Sequence, residues 1–141
     1  MKSMNIKITF LFLIAVAVIS FSSCDKKSKI TEEEYVIKVD SIETVDTVQL
    51  NQIFQVDFFG IVGENGCYRF SRFYTERTGM KFRIQAIGLR EIGDNLICPE
   101  LLPMLNGQNL QLKADSLGTI KLEIINPGVN QLIRKDILVL P

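Results

Sequence analysis

Met80-Lys81-Phe82-Arg83-Ile84-Gln85-Ala86 alternates without a fault: Met80, Phe82, Ile84 and Ala86 fall on one side, Lys81, Arg83 and Gln85 on the other. Successive side chains of an extended chain point to opposite faces, so this order builds a strand with one face toward a core and one toward water. Wound as a helix, the same residues would scatter their charges around the whole circumference. The period recurs along the chain. Tyr35, Ile37 and Val39 alternate with Val36, Lys38 and Asp40; Phe54, Val56 and Phe58 with Gln55 and Asp57. Leu110, Leu112 and Ala114 alternate with Gln111 and Lys113, and Ile120, Leu122 and Ile124 with Lys121 and Glu123. Aromatic and β-branched residues dominate these runs, as a half-buried pleated surface prefers.

Turn chemistry separates the runs. Glu64-Asn65-Gly66 is expected to close a tight hairpin between Phe54–Val62 and Cys67–Tyr74, because Asn-Gly takes the positive φ angles such a turn requires. Thr78-Gly79, Ser116-Leu117-Gly118 and Asn126-Pro127-Gly128 punctuate the later runs, and a longer irregular piece with Cys98-Pro99 and Pro103 lies between Gly88 and Gln108. The result is about seven strands, near 35–45, 50–62, 67–75, 80–89, 108–114, 118–126 and 131–140. That number of short strands predicts an all-β fold, an immunoglobulin-like antiparallel β-sandwich, with a small β-barrel as the alternative. The likeness is one of architecture: the chain has no tryptophan, and its cysteines are spaced more closely than those of an antibody domain.

Catalytic chemistry is sparse. The 141 residues include no histidine, which removes the commonest general base and the commonest zinc ligand. No serine sits in a Gly-x-Ser-x-Gly elbow. Glu91 and Asp94 flank a glycine turn and read as a solvated loop rather than an acid–base pair. Gly60, Gly63 and Gly66 have the wrong spacing for a phosphate loop and read as hairpin and bulge glycines. Asp40, Glu43 and Asp46 lack the alternating oxygens and glycine of a calcium loop and read as surface charge. The chain is therefore not expected to be an enzyme, and nothing in it calls for a cofactor or a metal.

Charge is unevenly placed although the whole chain balances 16 basic against 16 acidic residues. Residues 67–90 carry six basic side chains and one acid, and residues 31–64 carry eight acids and one base. Within the basic segment, Cys67-Tyr68-Arg69-Phe70-Ser71-Arg72-Phe73-Tyr74 interleaves aromatics with arginines. Two readings compete. Arg69, Arg72, Tyr74 and Arg83 could form a cationic, aromatic face that binds an acidic peptide, glycan or protein, since Tyr and Arg are favoured interface anchors. The blander reading has the aromatics filling the core and the arginines pairing with acids on neighbouring strands, and alternation already accounts for most of these residues.

The leader supplies the address. Lys2 and Lys7 precede an apolar run from Ile8 to Ile19, and Phe21-Ser22-Ser23-Cys24 follows. The run is shorter than the roughly 20 residues a spanning helix needs, so it reads as a secretory signal. Phe21-Ser22-Ser23-Cys24 resembles the lipobox of bacterial lipoproteins, with Phe at the position where Leu is commonest, and the style of the chain is similar to small Bacteroidota-type envelope lipoproteins. The resemblance implies cleavage before Cys24, a diacylglycerol on its thiol and acylation of the new amine. It implies a membrane-anchored lipoprotein of the bacterial cell envelope, at the outer membrane, facing the periplasm or the outside. Two or three acyl chains together hold a protein firmly where one does not.

On that reading residues 1–23 are a signal peptide, 24–34 a lipidated flexible tether and 35–141 the β-sandwich domain; removing 23 residues from 141 leaves 118. Assigning Cys24 to lipid leaves Cys67 and Cys98 as an even pair in a compartment that permits disulfides. The alternative is two buried thiols packing as small hydrophobes. Loss of Lys2 and Lys7 makes the mature chain slightly acidic, which argues against nucleic acid as a partner. The expected function is a non-catalytic binding or assembly module that presents loops or a sheet face to a protein, peptide or glycan. The alternatives are a small carboxylate-dependent glycan hydrolase, which needs two facing acids of shifted pKa, and an inhibitor of exported proteases, which would offer its least polar loop, Leu101 to Leu105, at one end of the sandwich.

Overall fold

The computed structural model describes residues 29–141. Residues 1–23, read from the sequence as a signal peptide, Cys24, and residues 25–28 of the segment read as a tether lie outside the described residues. Nine strands form the fold: β1 Thr31–Ile37, β2 Ser41–Thr44, β3 Thr47–Gln49, β4 Ile53–Phe59, β5 Tyr68–Thr78, β6 Lys81–Ile92, β7 Gln108–Lys113, β8 Gly118–Ile125 and β9 Leu132–Leu140. They make two sheets. The larger runs β1-β6-β8-β9-β3 with β5 also on β6, and the smaller runs β2-β4-β7. The protein is an all-β sandwich, as the alternation predicts; the two sheets share no ladder, so the barrel alternative does not apply.

The core lies between the sheets. Phe54, Val56 and Phe58 of β4 and Leu112 of β7 face Phe82, Ile84 and Ala86 of β6, Ile120, Leu122 and Ile124 of β8, and Ile137 and Val139 of β9. These are the apolar positions of the alternating runs. Phe58 meets Phe73 of the opposite sheet with ring centroids 4.4 Å apart and planes tilted by 34°, which ties the two layers together through aromatic contact.

Four expectations need correction. The first expected strand, 35–45, is two strands in two sheets, because the chain changes sheets at Val39. There Asn126 accepts a hydrogen bond from the Val39 N–H and donates one to its C=O, both at 2.8 Å. Its amide thereby supplies what a ladder neighbour would, at a backbone site that no strand covers. The chain crosses again at Val45-Asp46, which separates β2 in the small sheet from β3 at the edge of the large one.

The sandwich is also not purely antiparallel: β6 pairs β8 in parallel, as β3 does β9. Between β6 and β8 the chain visits the small sheet as β7, so it re-enters the large sheet in its former direction. Glu64-Asn65-Gly66 is not a hairpin, since β4 and β5 lie in different sheets. The glycines of this crossing serve close approach instead: a Cβ on Gly63 would fall 2.2 Å from the Tyr68 ring, and one on Gly60 would fall 2.6 Å from the Lys38 carbonyl oxygen. Thr78-Gly79 does close the β5–β6 hairpin, with Gly79 at φ +60°.

Finally, β1 begins at Thr31 rather than 35, so the acidic run assigned to the tether is part of the ladder. Glu32, Glu33 and Glu34 meet Arg69, Arg90 and Arg72. Composition alone reads three glutamates in a row as a solvated spacer; three arginines folded beside them make them strand residues.

Candidate functional site

The outer face of the large sheet carries the residues that composition singled out. In a regular strand Arg69 and Arg72, three apart, would point to opposite faces. A β-bulge between Phe70 and Arg72 adds one residue and restores the phase. Phe70 and Phe73 then both turn inward, with ring centroids 4.9 Å apart. Arg69, Arg72 and Tyr74 of β5 fall outward with Arg83 of β6, opposite Leu89, Ile87, Gln85 and Glu76 in turn. The four candidate ligand-binding residues therefore share one face.

Each of them has an acidic neighbour. Arg69 Nη2 donates to Glu32 Oε1 at 2.6 Å and lies 3.9 Å from Glu91. Arg72 makes a forked pair with Glu34 at 2.5 and 3.0 Å. Arg83 lies 3.5 Å from Glu76 and 3.9 Å from Glu123, and the Tyr74 hydroxyl donates to Glu76 at 3.1 Å. The pairs with Glu32 and Glu34 reach over β6 from β5 to β1, a span of roughly 10 Å between strand axes that only long side chains close. The face is thus a mixed lattice of charge rather than a cationic surface. Exposed pairs of this sort contribute roughly 0–1 kcal/mol each, so they hold the arginines in place only weakly.

The lattice sets the protonation chemistry. The Arg72 guanidinium hydrogen-bonded to Glu34 holds that carboxyl below the usual glutamate value. Lys81, with Arg134 adding to it, does the same for Glu123, and Glu76 beside the Tyr74 hydroxyl pushes that phenol up. Arg77 on the inner side is bound to Asp115 by two hydrogen bonds of 2.5 and 2.7 Å, lowers that carboxyl, and lies 4.9 Å from the centre of the Phe82 ring. Glu34, Asp46, Asp115 and Glu123 are all shifted toward the ionised form. None of these four is suited to be the proton donor of a glycosidase, which needs a raised pKa.

Between β5, β6 and β8 the outer face dips into a depression of about 170 Å³ lined by Tyr74, Glu76, Arg83, Gln85 and Ile125. It gathers one exposed aromatic ring, a guanidinium, a carboxylate and an amide around an apolar floor residue. Enclosed small-molecule pockets run to roughly 300–1,000 Å³, so this one suits a single sugar ring or side chain of a longer ligand. Tyr74 and Arg83 line it; Arg69 and Arg72 sit further along β5. Glu76 and Gln85 are the residues that sequence reasoning missed. They are the alternation partners of Tyr74 and Arg83, two positions on in each strand, and the hairpin register sets Tyr74 against Gln85 and Glu76 against Arg83.

Cys67 and Cys98 are bridged, with Cα atoms 5.2 Å apart. The bridge pins the 93–107 connection to the start of β5, and the Gly66 N–H donates to the Pro99 carbonyl at 2.9 Å beside it. Asp40, Glu43 and Asp46 diverge: Asp40 faces Lys38, Glu43 stands opposite Asp57, and Asp46 bonds Lys135. Among the described residues no three His, Cys, Asp or Glu side chains converge on a point where a metal could sit. Comparison of the chain with protein-family models, with curated proteins and with solved structures finds no match.

Proposed function

We propose that the chain is a lipid-anchored protein of the bacterial cell envelope and that its sandwich is a non-catalytic binding or assembly module, engaging a peptide or glycan through the outer face of the large sheet. The observation that carries the reading is the depression at Tyr74 and Arg83. It offers an aromatic ring for stacking and convergent polar groups for orientation, on rigid strands rather than loops. Its openness favours a polymer, one unit of which settles there while neighbouring units run along Arg72 and Arg69. The weak pairs that hold those arginines can be exchanged for a ligand carboxylate at little cost. The bulge at Ser71 supports the same reading, since such irregularities re-aim side chains beside functional sites. The address rests on the lipobox resemblance, and the Cys67–Cys98 bridge agrees with an oxidising compartment.

The test is crosslinking in the native cells. A benzophenone side chain placed at Tyr74 in the full-length chain should give discrete adducts that Arg83→Glu abolishes, while the same probe at Ile53 of the opposite sheet gives none. Absence of adducts at Tyr74, or equal adducts at Ile53, refutes the site.

A further inference from the structure

The end of the sandwich at which β1 begins carries a run of exposed apolar side chains. There Thr31 pairs with Ile92 at the end of β6, and Ile30 packs beside Gly93. The 93–107 connection caps the same end, because Cys98 is bonded to Cys67 and the Glu91 N–H donates to the Cys67 carbonyl at 3.0 Å. On this cap Ile97 is 91 % exposed, Leu101 52 %, Leu102 54 % and Met104 51 %. Four large aliphatic side chains turned outward within eight residues are unlike the single exposed residues that any surface carries.

The cap is held rigidly. Beyond the disulfide, Val62 N–H donates to Pro103 C=O at 2.8 Å and Leu105 N–H to Gly60 C=O at 2.9 Å, while the Leu105 side chain is fully buried as an inward anchor. A loop built to hide its aliphatics would turn them with Leu105 into the core. This one is fastened with them outside.

We propose that this cap seats against the lipid bilayer, with Ile97, Leu101 and Leu102 in the interfacial layer. The inference rests on the reading of Cys24 as the lipidated residue. Only five residue steps separate Cys24 from Lys29, so the described domain begins at most about 18 Å from the lipid. At that range insertion is an intramolecular step at high effective concentration, and a shallow apolar contact is enough to populate it. The charge pattern suits a predominantly zwitterionic surface: Lys26, Lys27 and Lys29 on the tether are balanced by Asp25 beside them and by Asp94 and Glu100 on the cap. Seated so, the strands stand upright on the membrane. The outer face of the large sheet is then presented sideways, and the turn at Leu117 points away.

The chain contains no tryptophan, so one introduced at an exposed site reports its own depth. Full-length Leu101→Trp and Ile97→Trp proteins, purified from native membranes, are reconstituted into phosphatidylcholine vesicles carrying brominated acyl chains and floated on a density gradient. Leu117→Trp, at the opposite end and as exposed as Leu101, is the reference. Emission from the floated Leu101→Trp and Ile97→Trp proteins should shift to the blue and be quenched by bromine, with Leu117→Trp unaffected. Flotation with no more quenching at 97 and 101 than at 117 overturns the seating while leaving the anchor intact. A blue shift without quenching also overturns it, since a protein rather than lipid then covers the cap. Failure to float refutes the anchor, and the seating with it.

Discussion

Asn126 is the only buried polar side chain among the described residues, 7 % exposed, and it bonds both backbone groups of Val39, itself 1 % exposed. Asn126→Ala leaves one N–H and one C=O in the core without partners. Each such group costs about 1–3 kcal/mol, so the loss for the two should be about 2–6 kcal/mol. Set against a total stability of roughly 5–15 kcal/mol for a domain, that is a large share. The melting temperature should fall by roughly 10 °C or more. Asn126→Asp keeps an acceptor for the Val39 N–H but sets a carboxylate against its carbonyl, so it should not rescue. The assay is a denaturant titration followed by far-ultraviolet circular dichroism, with Asn109→Ala on exposed β7 as the reference, expected within about 0.5 kcal/mol of the parent. If Asn126→Ala behaves like Asn109→Ala, the clamp at the sheet crossing is not what holds β1 and β2 apart.

Other outcomes follow from the same structure. Removing the Cys67–Cys98 bridge, which closes a loop of 30 intervening residues, should cost about 3–4 kcal/mol on the chain-entropy account; a loss below about 1 kcal/mol under oxidising conditions contradicts it. Gly88→Ala places a Cβ 2.4 Å from the Tyr35 ring, whose hydroxyl donates to the Val62 carbonyl at 2.5 Å. It should destabilise by about 1–3 kcal/mol, and a neutral effect would mean that the ring moves freely. With no histidine, stability should be flat between about pH 5 and 8. Glu34 and Glu123 are lowered from 4.5, and Asp46 and Asp115 from 3.8, so their stabilisation is present above those ordinary values and is lost as pH falls through the depressed ones. A stability maximum below about pH 4 would contradict that sign.

The strands were legible because a half-buried strand writes its two faces into alternate residues: Phe82, Ile84 and Ala86 are buried in the core, as their spacing requires. The crossings between sheets were not. A chain that changes sheets at Val39 keeps its alternation, and the cause is an asparagine 87 positions away that reads locally as part of an Asn-Pro-Gly turn. Glu64-Asn65-Gly66 has hairpin chemistry, yet the strands it joins belong to different layers, and turn preference cannot see the core that separates them. The glutamates of β1 looked like a spacer until Arg69, Arg72 and Arg90 were folded beside them. At the site, alternation placed Arg83 outward correctly, whereas the reading that fills the core with Phe and Tyr fails at Tyr74, whose side chain is exposed. Arg69 joined them only through the bulge, which no residue type announces.

The most direct test of the anchored module is the mass of its N-terminal peptide after purification from native membranes in detergent. A chain that begins at Cys24 and carries diacylglycerol on the thiol with an acylated amine is the predicted result. A chain cut elsewhere, or one with an unmodified Cys24, contradicts the lipid anchor and the orientation at the membrane that rests on it.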